Sequence, residues 1–383
     1  YDFDVDQYLD EPVRGLDLGV RQRVEIVKSL YRGADVLVLD EPTAVLTPQE
    51  VDSLFDVMTE LADAGRSLVF ITHKLGEALA VADEITVLRD GAIVDTTDAA
   101  GTTEQELARM MVGREVDFER RAREATTGDP VLDVSGLRVT GDRGRDSVRD
   151  VDLTVRAGEI LGVAGVQGNG QTELVEAITG LRSVADGTVT LDDADVTDDG
   201  RRDLIEAGVA YVPEDRQREG LVQDDTLARN ALLGNQTVQP FADGGLVNWD
   251  AVRDHAADIV ADYDVNPPNP RAVARSLSGG NQQKFIVGRE IEHNPALMVA
   301  SHPTRGVDIG AIEFIHDRLL ELREQGVAIL FVSSKLSEIR QLSDRVAVMY
   351  EGEIVDVVDP EAMSEEELGL LMTGGTADGG ERA

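Results

Sequence analysis

The eight residues Leu277-Ser278-Gly279-Gly280-Asn281-Gln282-Gln283-Lys284 are the stretch on which the rest of the chain turns. Two adjacent glycines let backbone N–H groups come close to a phosphate, because no Cβ stands in the way. Ser278 adds a hydroxyl donor. Asn281 and Gln282 open a helix that continues through Phe285, Ile286, Val287 and Ile291. A helix N-terminus presents N–H groups and a positive partial charge, which suits an anion. Taken alone, Ser-Gly-Gly-Asn is a common turn ahead of a helix, so its weight comes from its surroundings.

The first of these surroundings is a second copy. Leu16 to Arg23 reads LDLGVRQR, and Leu16 maps onto Leu277 at an offset of 261 positions (277 − 16). The offset holds without a gap from Gly19 onto Gly280 through Pro42 onto Pro303, Thr43 onto Thr304 and Gly65 onto Gly326. It continues through Lys74 onto Lys335, Gly91 onto Gly352, Met111 onto Met372 and Gly113 onto Gly374. Self-similarity at so long a period fits two copies of one domain better than a solenoid.

Composition bounds the function classes. At 383 residues the chain has room for two domains, each with its own core. It carries 74 acidic against 36 basic residues, a net charge of −38. That balance argues against a general nucleic-acid binder, which needs positive surface to displace counterions. A hydrophobic content of 42% in well-spaced runs argues against an acidic disordered chain. The charge is expected to be a solvated acidic surface suited to a high-salt cytoplasm. There is no cysteine, hence no disulfide framework and no thiolate metal site. No apolar run reaches membrane-spanning length, and a soluble protein is expected.

In chain order, Val24, Val27, Leu30 and Tyr31 follow helical spacing up to Gly33. Val36-Leu37-Val38-Leu39 is a short apolar run, as expected of a strand buried on both faces of a parallel sheet, and it ends in Asp40-Glu41-Pro42-Thr43. Carboxylates at the carboxyl end of such a strand sit where ligands bind in open α/β sheets. A helix is expected over residues 48–62, a strand over 67–71 delivering Thr72-His73, then a hairpin with Asp90-Gly91 as its turn and a helix over 104–111. The charged, apolar-poor stretch beyond Gly113 predicts a linker.

The second half opens with a strand at 131–134. Strand 160–164 runs into Gly165-Val166-Gln167-Gly168-Asn169-Gly170-Gln171-Thr172 and then a helix through Leu174, Val175 and Ile178. A phosphate loop of pattern G-x-x-x-x-G-K-[ST] needs glycines for close backbone approach, a lysine for the β/γ-phosphates and a hydroxyl for Mg²⁺. Gly165, Gly170 and Thr172 are present and Gln171 stands in place of the lysine, which weakens the expectation of tight nucleotide binding. Residues 297–300 are the counterpart of strand 36–39. The offset turns Asp40 into Ser301, Glu41 into His302 and His73 into Ser334.

These motifs resemble the tandem ATPase subunit of bacterial and archaeal simple-sugar and nucleoside ABC importers. The resemblance runs along nearly the whole chain and is most specific in EPTAVLTPQE at 41–50, GNGQTELVEAITGLR at 168–182 and PTRGVDIGAIEFI at 303–315. It implies an α/β fold of P-loop NTPase-like ABC ATPase domains, a tandem repeat whose first copy is incomplete. The divisions expected are residues 1–113 as the C-terminal part of a first domain, 114–130 as linker, 131–375 as a second, degenerate domain and 376–383 as tail. In this family ATP is held between the phosphate loop of one copy and the signature of the other. Glu41 would polarise the attacking water and His73 would contact the γ-phosphate as the catalytic pair, with Asp40 directing Mg²⁺ through water.

Ser278, Gly279, Gly280 and Gln282 would close over the nucleotide from the second signature. Gly165, Gly168, Gly170, Gln171 and Thr172 would form the other nucleotide site, Thr172 also facing the metal. That site would meet the first signature, where Asp17 replaces the serine and adds repulsion towards a triphosphate. Residues 211–215 fall where the family carries its glutamine loop.

The implied cofactors are ATP and Mg²⁺. The implied partners are integral-membrane permease subunits and, indirectly, an extracytoplasmic solute-binding protein, with no nucleic acid. The implied location is the cytoplasmic face of the membrane, as a peripheral subunit, and the nucleoside branch is favoured. The second copy has 146 residues (277 − 131) ahead of its signature and the first has 15, so repeat logic expects roughly 130 further residues with a lysine-bearing loop upstream and little ATPase activity without them. Two alternatives stay open. One is a non-catalytic remnant or regulatory protein, and the other a soluble tandem ABC protein acting on ribosomes or DNA.

Overall fold

The computed structural model describes residues 11–13, 16, 18–43, 48–72, 74–89, 91–113 and 127–374. Asp17, His73, Asp90, most of the 114–130 stretch and the 376–383 tail, all singled out by the sequence, lie outside the described residues. The chain divides into two compact units, residues 1–117 with 308–310 and residues 118–307 with 311–383.

The first unit runs α1 (Leu18–Tyr31), β1 (Val36–Asp40), α2 (Pro48–Asp63), β2 (Ser67–Ile71), α3 (Leu75–Val81), β3 (Glu84–Arg89), β4 (Ala92–Asp98) and α4 (Glu104–Val112). β1 and β2 pair in parallel, Val36 opposite Ser67 and Asp40 opposite Ile71. β3 and β4 form an antiparallel hairpin. α4 opens with a reciprocal capping box between Thr103 and Glu106 and stops at Gly113, whose left-handed backbone a glycine adopts without a Cβ penalty. A small core gathers Ile26, Leu37, Leu54, Met58 and Leu61 between the strand pair and its helices.

The second unit is larger. Its first layer holds β5 (Pro130–Thr140), β6 (Asp146–Arg156), β7 (Ile160–Ala164), α5 (Gln171–Ile178), β8 (Asp186–Leu191), β9 (Ala194–Asp195), α6 (Arg201–Glu206) and β10 (Val209–Val212). A mostly helical segment follows: α7 (Leu227–Ala231), the short β11 (Ala242–Asp243) and β12 (Leu246–Val247), α8 (Trp249–Asp262) and α9 (Gly279–Ile291). The chain then returns through β13 (Leu297–Ser301), α10 (Ile309–Glu324), β14 (Ala328–Ser333), α11 (Leu336–Leu342), β15 (Arg345–Tyr350), β16 (Glu353–Val358) and α12 (Glu365–Met372). The main sheet has the order β10-β13-β14-β7-β15-β16, parallel except for the last strand. A second, antiparallel sheet, β6-β5-β8-β9, lies on one side of it. Leu132, Val148, Leu174, Ile178, Val299 and Leu330 fill the core between the two sheets. Phe285, Ile286, Met298, Ile315 and Phe331 fill the core on the opposite face.

The elements of the two units recur at the 261-residue offset. β1 falls on β13, α2 on α10, α3 on α11 and β3 on β15, with matching ends. Side-chain contacts recur as well. Thr43 donates to Glu77 at 2.5 Å and Thr304 to Glu338 at 2.6 Å, while Lys74 and Lys335 reach the same glutamates at 2.8 and 3.0 Å. The Thr103–Glu106 capping box has its counterpart in Ser364–Glu367.

Three expectations change. α1 and α9 start at Leu18 and Gly279, ahead of the apolar positions that mark them in sequence, because the signature glycines lie inside the first turn and Ser278 is the N-cap. The strand expected at 131–134 extends from Pro130 to Thr140. The expectation of a strand buried on both faces holds for β13 and fails for β1. Val36 and Val38 are 60% and 64% exposed, whereas their counterparts Leu297 and Val299 are fully buried. In the second unit that face is covered by α5 and the antiparallel sheet, and among the described residues of the first unit no such layer is present. No described helix is long and apolar enough to cross a membrane.

Candidate nucleotide sites

In the first unit the two acidic candidates sit at the carboxyl end of β1. Asp40 is the last strand residue, and Glu41 begins the turn with φ +44° while its N–H donates to Ile71 at 2.9 Å. A positive φ is uncommon for a residue with a side chain and marks a turn held by its surroundings. Both side chains are exposed. Two adjacent carboxylates of this kind fit a hard divalent cation. The matching turn of the second unit has Ser301 and His302, with φ +45° at His302 and an N–H bond to Val332 of 2.8 Å. The backbone is the same, but the carboxylates are gone.

The candidate phosphate loop of the second unit, residues 165–172, joins β7 to α5. Gly165 is buried where a Cβ would strike the Gln171 side chain and the Met349 carbonyl, and Gly170 (φ +103°) where a Cβ would strike the Ser147 carbonyl. Only glycine fits either position. Gly168 (φ +95°) has open space above it, the condition for close approach of an anion. Asn169 pins the loop by accepting the Glu351 N–H at 3.2 Å and donating to the Met372 carbonyl at 3.4 Å. Gln171 is buried and folds back, its amide donating to Val166 at 3.3 Å. Where a lysine amine would extend to a phosphate, this side chain stays inside its own loop.

Thr172 faces a cleft of about 400 Å³ shared with Tyr211 and Glu214 at the end of β10, Ser301 at the end of β13, and Arg305. Strand ends converge here, as expected of the ligand crevice in an open parallel sheet. The cleft is strongly charged. Glu214 forms an ion pair with Arg305, and Glu176 with Arg182 at 2.5 Å. Burial raises the Glu219 carboxyl above its ordinary range, and the nearby Glu176 and Asp215 add to this. Burial likewise raises the Tyr211 phenol, which donates to Glu219 at 3.4 Å. Burial lowers the His302 imidazole, with Glu214 opposing. The hydroxyls of Thr172 and Ser301 are here, but Glu214 is neutralised by Arg305, so the fit to a Mg²⁺-triphosphate is poorer than at Asp40-Glu41.

The signature turn caps α9. Ser278 accepts the Asn281 N–H at 3.4 Å and its side-chain amide at 2.9 Å. Ser278 is exposed, Gly279 half-buried and Gly280 buried. Gln282 is buried behind the turn, donating to the Ala274 carbonyl at 2.9 Å and to Gln223 at 3.2 Å. The structure therefore gathers Thr172, Glu214 and Ser301 in one cleft, places Gln282 as a support, and keeps Asp40 and Glu41 in a separate unit. Sequence reasoning missed the Glu214–Arg305 pair and Arg216. The charged run at 214–219 was its only signal.

The phosphate loop, the six-stranded sheet and the capped signature helix define an ATP-binding cassette. The family model described as ABC transporter matches residues 148–305. A solved nucleotide-free ATP-binding cassette from an ABC transporter superimposes with a TM-score of 0.53 at 22% identity, covering 64% of this chain and 96% of that one. A cassette bound to ADP and phosphate gives 0.52 at 22%, covering 60% and 98%. These two likenesses show the fold.

The relatives are more specific. The chain is 48% identical to the nucleoside import ATP-binding protein NupA of Lactococcus lactis subsp. cremoris, over 96% of its own length and 72% of that protein. It is 47% identical to the guanosine import ATP-binding protein NupO of Bacillus subtilis, over 94% and 71%. It is also 47% identical to the glucose import ATP-binding protein TsgD13 of Haloferax volcanii, over 98% and 68%. The chain belongs to this family, the ATP-binding subunits of nucleoside- and sugar-import ABC transporters.

Proposed function

We propose that the chain energises import of a nucleoside or simple sugar through two cassette copies of unequal chemistry. One composite site hydrolyses ATP and the other is degenerate. The observation that carries this reading is the pair Glu41 and His302, which share one backbone conformation and one N–H bond and differ in the side chain presented. In the hydrolytic site Asp40 and Glu41 of the first copy work with Ser278, Gly279 and Gly280 of the second. Glu41 holds the attacking water and accepts its proton. His73 contacts the γ-phosphate, and Gln282 supports the signature turn from behind. Bound Mg²⁺ would supply charge neutralisation at the β/γ-phosphates, with Asp40 as its ligand through water. In the degenerate site Gly165, Gly168, Gly170, Gln171 and Thr172 face the first signature, and Ser301 and His302 leave it without a base.

The exposed face of β1 and β2 supports a first copy that needs a further layer. Val36, Val38, Val69 and Ile71 are 47% to 64% exposed, and their counterparts Leu297, Val299, Leu330 and Val332 are buried under the layer that carries residues 165–178. A groove of about 460 Å³ runs along Val36–Pro42, on the edge where β10 pairs with β13 in the second unit. A strand–loop–helix layer with a lysine-bearing loop is the complement of both features. These 383 residues do not include that loop, so little phosphate release is expected from them alone. The domains are residues 1–113 and 131–375, with 114–130 as linker.

The partners that follow are membrane permease subunits, with a solute-binding protein acting through them, and the subunit works at the cytoplasmic membrane face. A net charge of −38 supports the exclusion of nucleic acid and a high-salt setting. Uptake of labelled guanosine and labelled glucose by cells with and without the gene tests the reading and separates the two solutes. Glu41→Gln is expected to abolish uptake and His302→Ala to leave it within about twofold. Uptake indifferent to Glu41→Gln would favour a regulatory remnant, and co-sedimentation with ribosomes would favour the soluble alternative.

A further inference from the structure

Arg216 opens a single π-helical turn, Arg216–Gly220, directly after the β10 strand end. Such turns are rare and recur at functional positions. Its Nη1 donates to the Arg305 carbonyl at 2.5 Å and its Nη2 to the Gly306 carbonyl at 3.0 Å. The same Nη2 lies 2.5 Å, and Cζ 3.2 Å, from where a Cβ on the signature residue Gly279 would stand; the Gly306 carbonyl is 3.1 Å from that point. One guanidinium thus touches the first glycine of the signature and the turn that follows β13.

The turn that carries Arg216 is fixed at both ends. Asp215 accepts the N–H groups of Gln217 and Arg218 at 3.1 Å each. Arg289 of α9 donates to the Gly220 carbonyl at 2.9 Å, and Glu290 of α9 accepts the Tyr211 N–H at 3.1 Å. α9 is therefore bonded to the 211–220 segment near its C-terminal end through Arg289 and Glu290, while at its N-terminal end Arg216, bonded to the 305–306 carbonyls, packs against Gly279.

We propose that Arg216 is a positioning residue of the signature, whose guanidinium fork locks the Gly279 turn to the Arg305–Gly306 turn so that both move as one body. A planar fork spans two successive carbonyls, and a lysine ammonium, a point charge, does not. The bridge also explains why residue 279 is glycine: a side chain there would displace the guanidinium. The consequence for phosphate contact rests on the reading of Ser278–Gly280 as the element that closes over a nucleotide held by the partner copy. With Arg216 in place, the signature and the loop after β13 approach that nucleotide together.

The test is amide hydrogen exchange of the whole chain without nucleotide, comparing wild type, Arg216→Lys and Arg216→Ala. The reporter amides are Gln282, bonded to the Ser278 carbonyl at 2.9 Å, and Arg305, bonded to the His302 carbonyl at 3.0 Å. Both are expected to exchange roughly tenfold to a hundredfold faster in either variant, with β7 and β14 amides within about twofold of wild type. Methylguanidinium added to Arg216→Ala is expected to restore protection at both amides, and methylammonium to leave it lost.

The lysine variant keeps the stem and the charge, and so keeps the test informative if the alanine variant does not fold. Wild-type exchange in Arg216→Lys would overturn the proposal. So would acceleration spread evenly through β7 and β14, or equal rescue by methylammonium. The readout uses neither nucleotide nor hydrolysis, so it can fail while the import reading stands, and the import reading can fail while it succeeds.

Discussion

Glu290, buried on α9, accepts the backbone N–H of Tyr211 at the end of β10 at 3.1 Å. Arg289 donates to its other oxygen at 2.9 Å, and Arg201 lies at 3.8 Å. A buried charge of this kind is tolerated because it is paired, and removing one partner strands the others. Glu290→Gln is expected to cost roughly 3 kcal/mol, since Arg289 and Arg201 lose their counter-charge in a dry site. Urea unfolding at fixed high salt, with β10 amides followed by exchange, measures it. A loss under about 1 kcal/mol would mean that water reaches the site.

The pH dependence follows from the same cluster. Burial opposes ionisation of Glu290, but Arg289, His293 and Arg201 with the Tyr211 N–H outweigh it, so its pKa lies below 4.5. Burial also opposes ionisation of Glu338, where Lys335, His316 and Thr304 prevail and again lower the pKa. A depressed carboxylate contributes stability that is present above the unfolded value and lost as pH falls through the folded one. His293 and His302 are lowered from 6.5, mainly by burial, so the unfolded chain takes up their protons first. Stability is therefore expected to be level from about pH 7 to about pH 9, above which the raised Tyr211 phenol makes the unfolded chain lose its proton first, to decline as pH falls through 6.5, where the raised Glu219 carboxyl opposes the two histidines, and to drop again below 4.5. A rise in unfolding free energy between pH 7 and 5 would contradict these signs.

Much of the architecture is legible in the sequence because two kinds of signal agree. The apolar run at 297–300 predicts a buried strand, and β13 is buried at every position. The glycines at 165 and 170 predict a loop that no side chain would fit, and the neighbouring atoms leave no room for one. The same reasoning overreaches at 36–39, since a run of Val and Leu records what the strand is built to be buried by, and that layer is not among the described residues. Gln282 looks like part of the signature by spacing, yet its amide faces Ala274 and Gln223, because helical phase at α9 turns it inward. The role of Arg216 is not legible in the charged run that carries it. Its role depends on two carbonyls some ninety positions away, and carbonyls leave no mark in a sequence.

Val38 and Val299 are the same position in two copies, 64% exposed in one and fully buried in the other. Val299→Ala is expected to cost about 2 kcal/mol, the removal of buried methyl groups plus the cavity left behind. Val38→Ala is expected to change the stability of these 383 residues by less than about 0.5 kcal/mol. Exchange at β14 and β2 amides reads the two units separately. Equal costs at the two positions would show that the face of β1 is covered in solution, and would remove the exposed layer as support for a first copy that needs completing.

On the proposed reading of residues 165–172 as a phosphate loop, Gln171 decides how that loop treats an anion. Its amide is bonded to Val166 inside the loop at 3.3 Å, a neutral contact whose loss costs on the order of 1 kcal/mol. Gln171→Lys exchanges that bond for an ammonium able to reach the β- and γ-phosphates, a charge-assisted contact of roughly twice the strength. ATP affinity of the second copy is expected to rise roughly tenfold to a hundredfold, towards the lower figure at high salt, where exposed charges are screened. Titration calorimetry on the whole chain with Mg²⁺ measures it. Hydrolysis is not expected to follow, because the matching strand end offers Ser301 and His302 where a carboxylate pair would be needed. An affinity left unchanged by the lysine would place the weakness of this site in the crowded carboxylates Glu176, Glu214 and Glu219 that line the cleft with Thr172. Tighter binding together with steady phosphate release would mean that some other group on this cleft serves as the base.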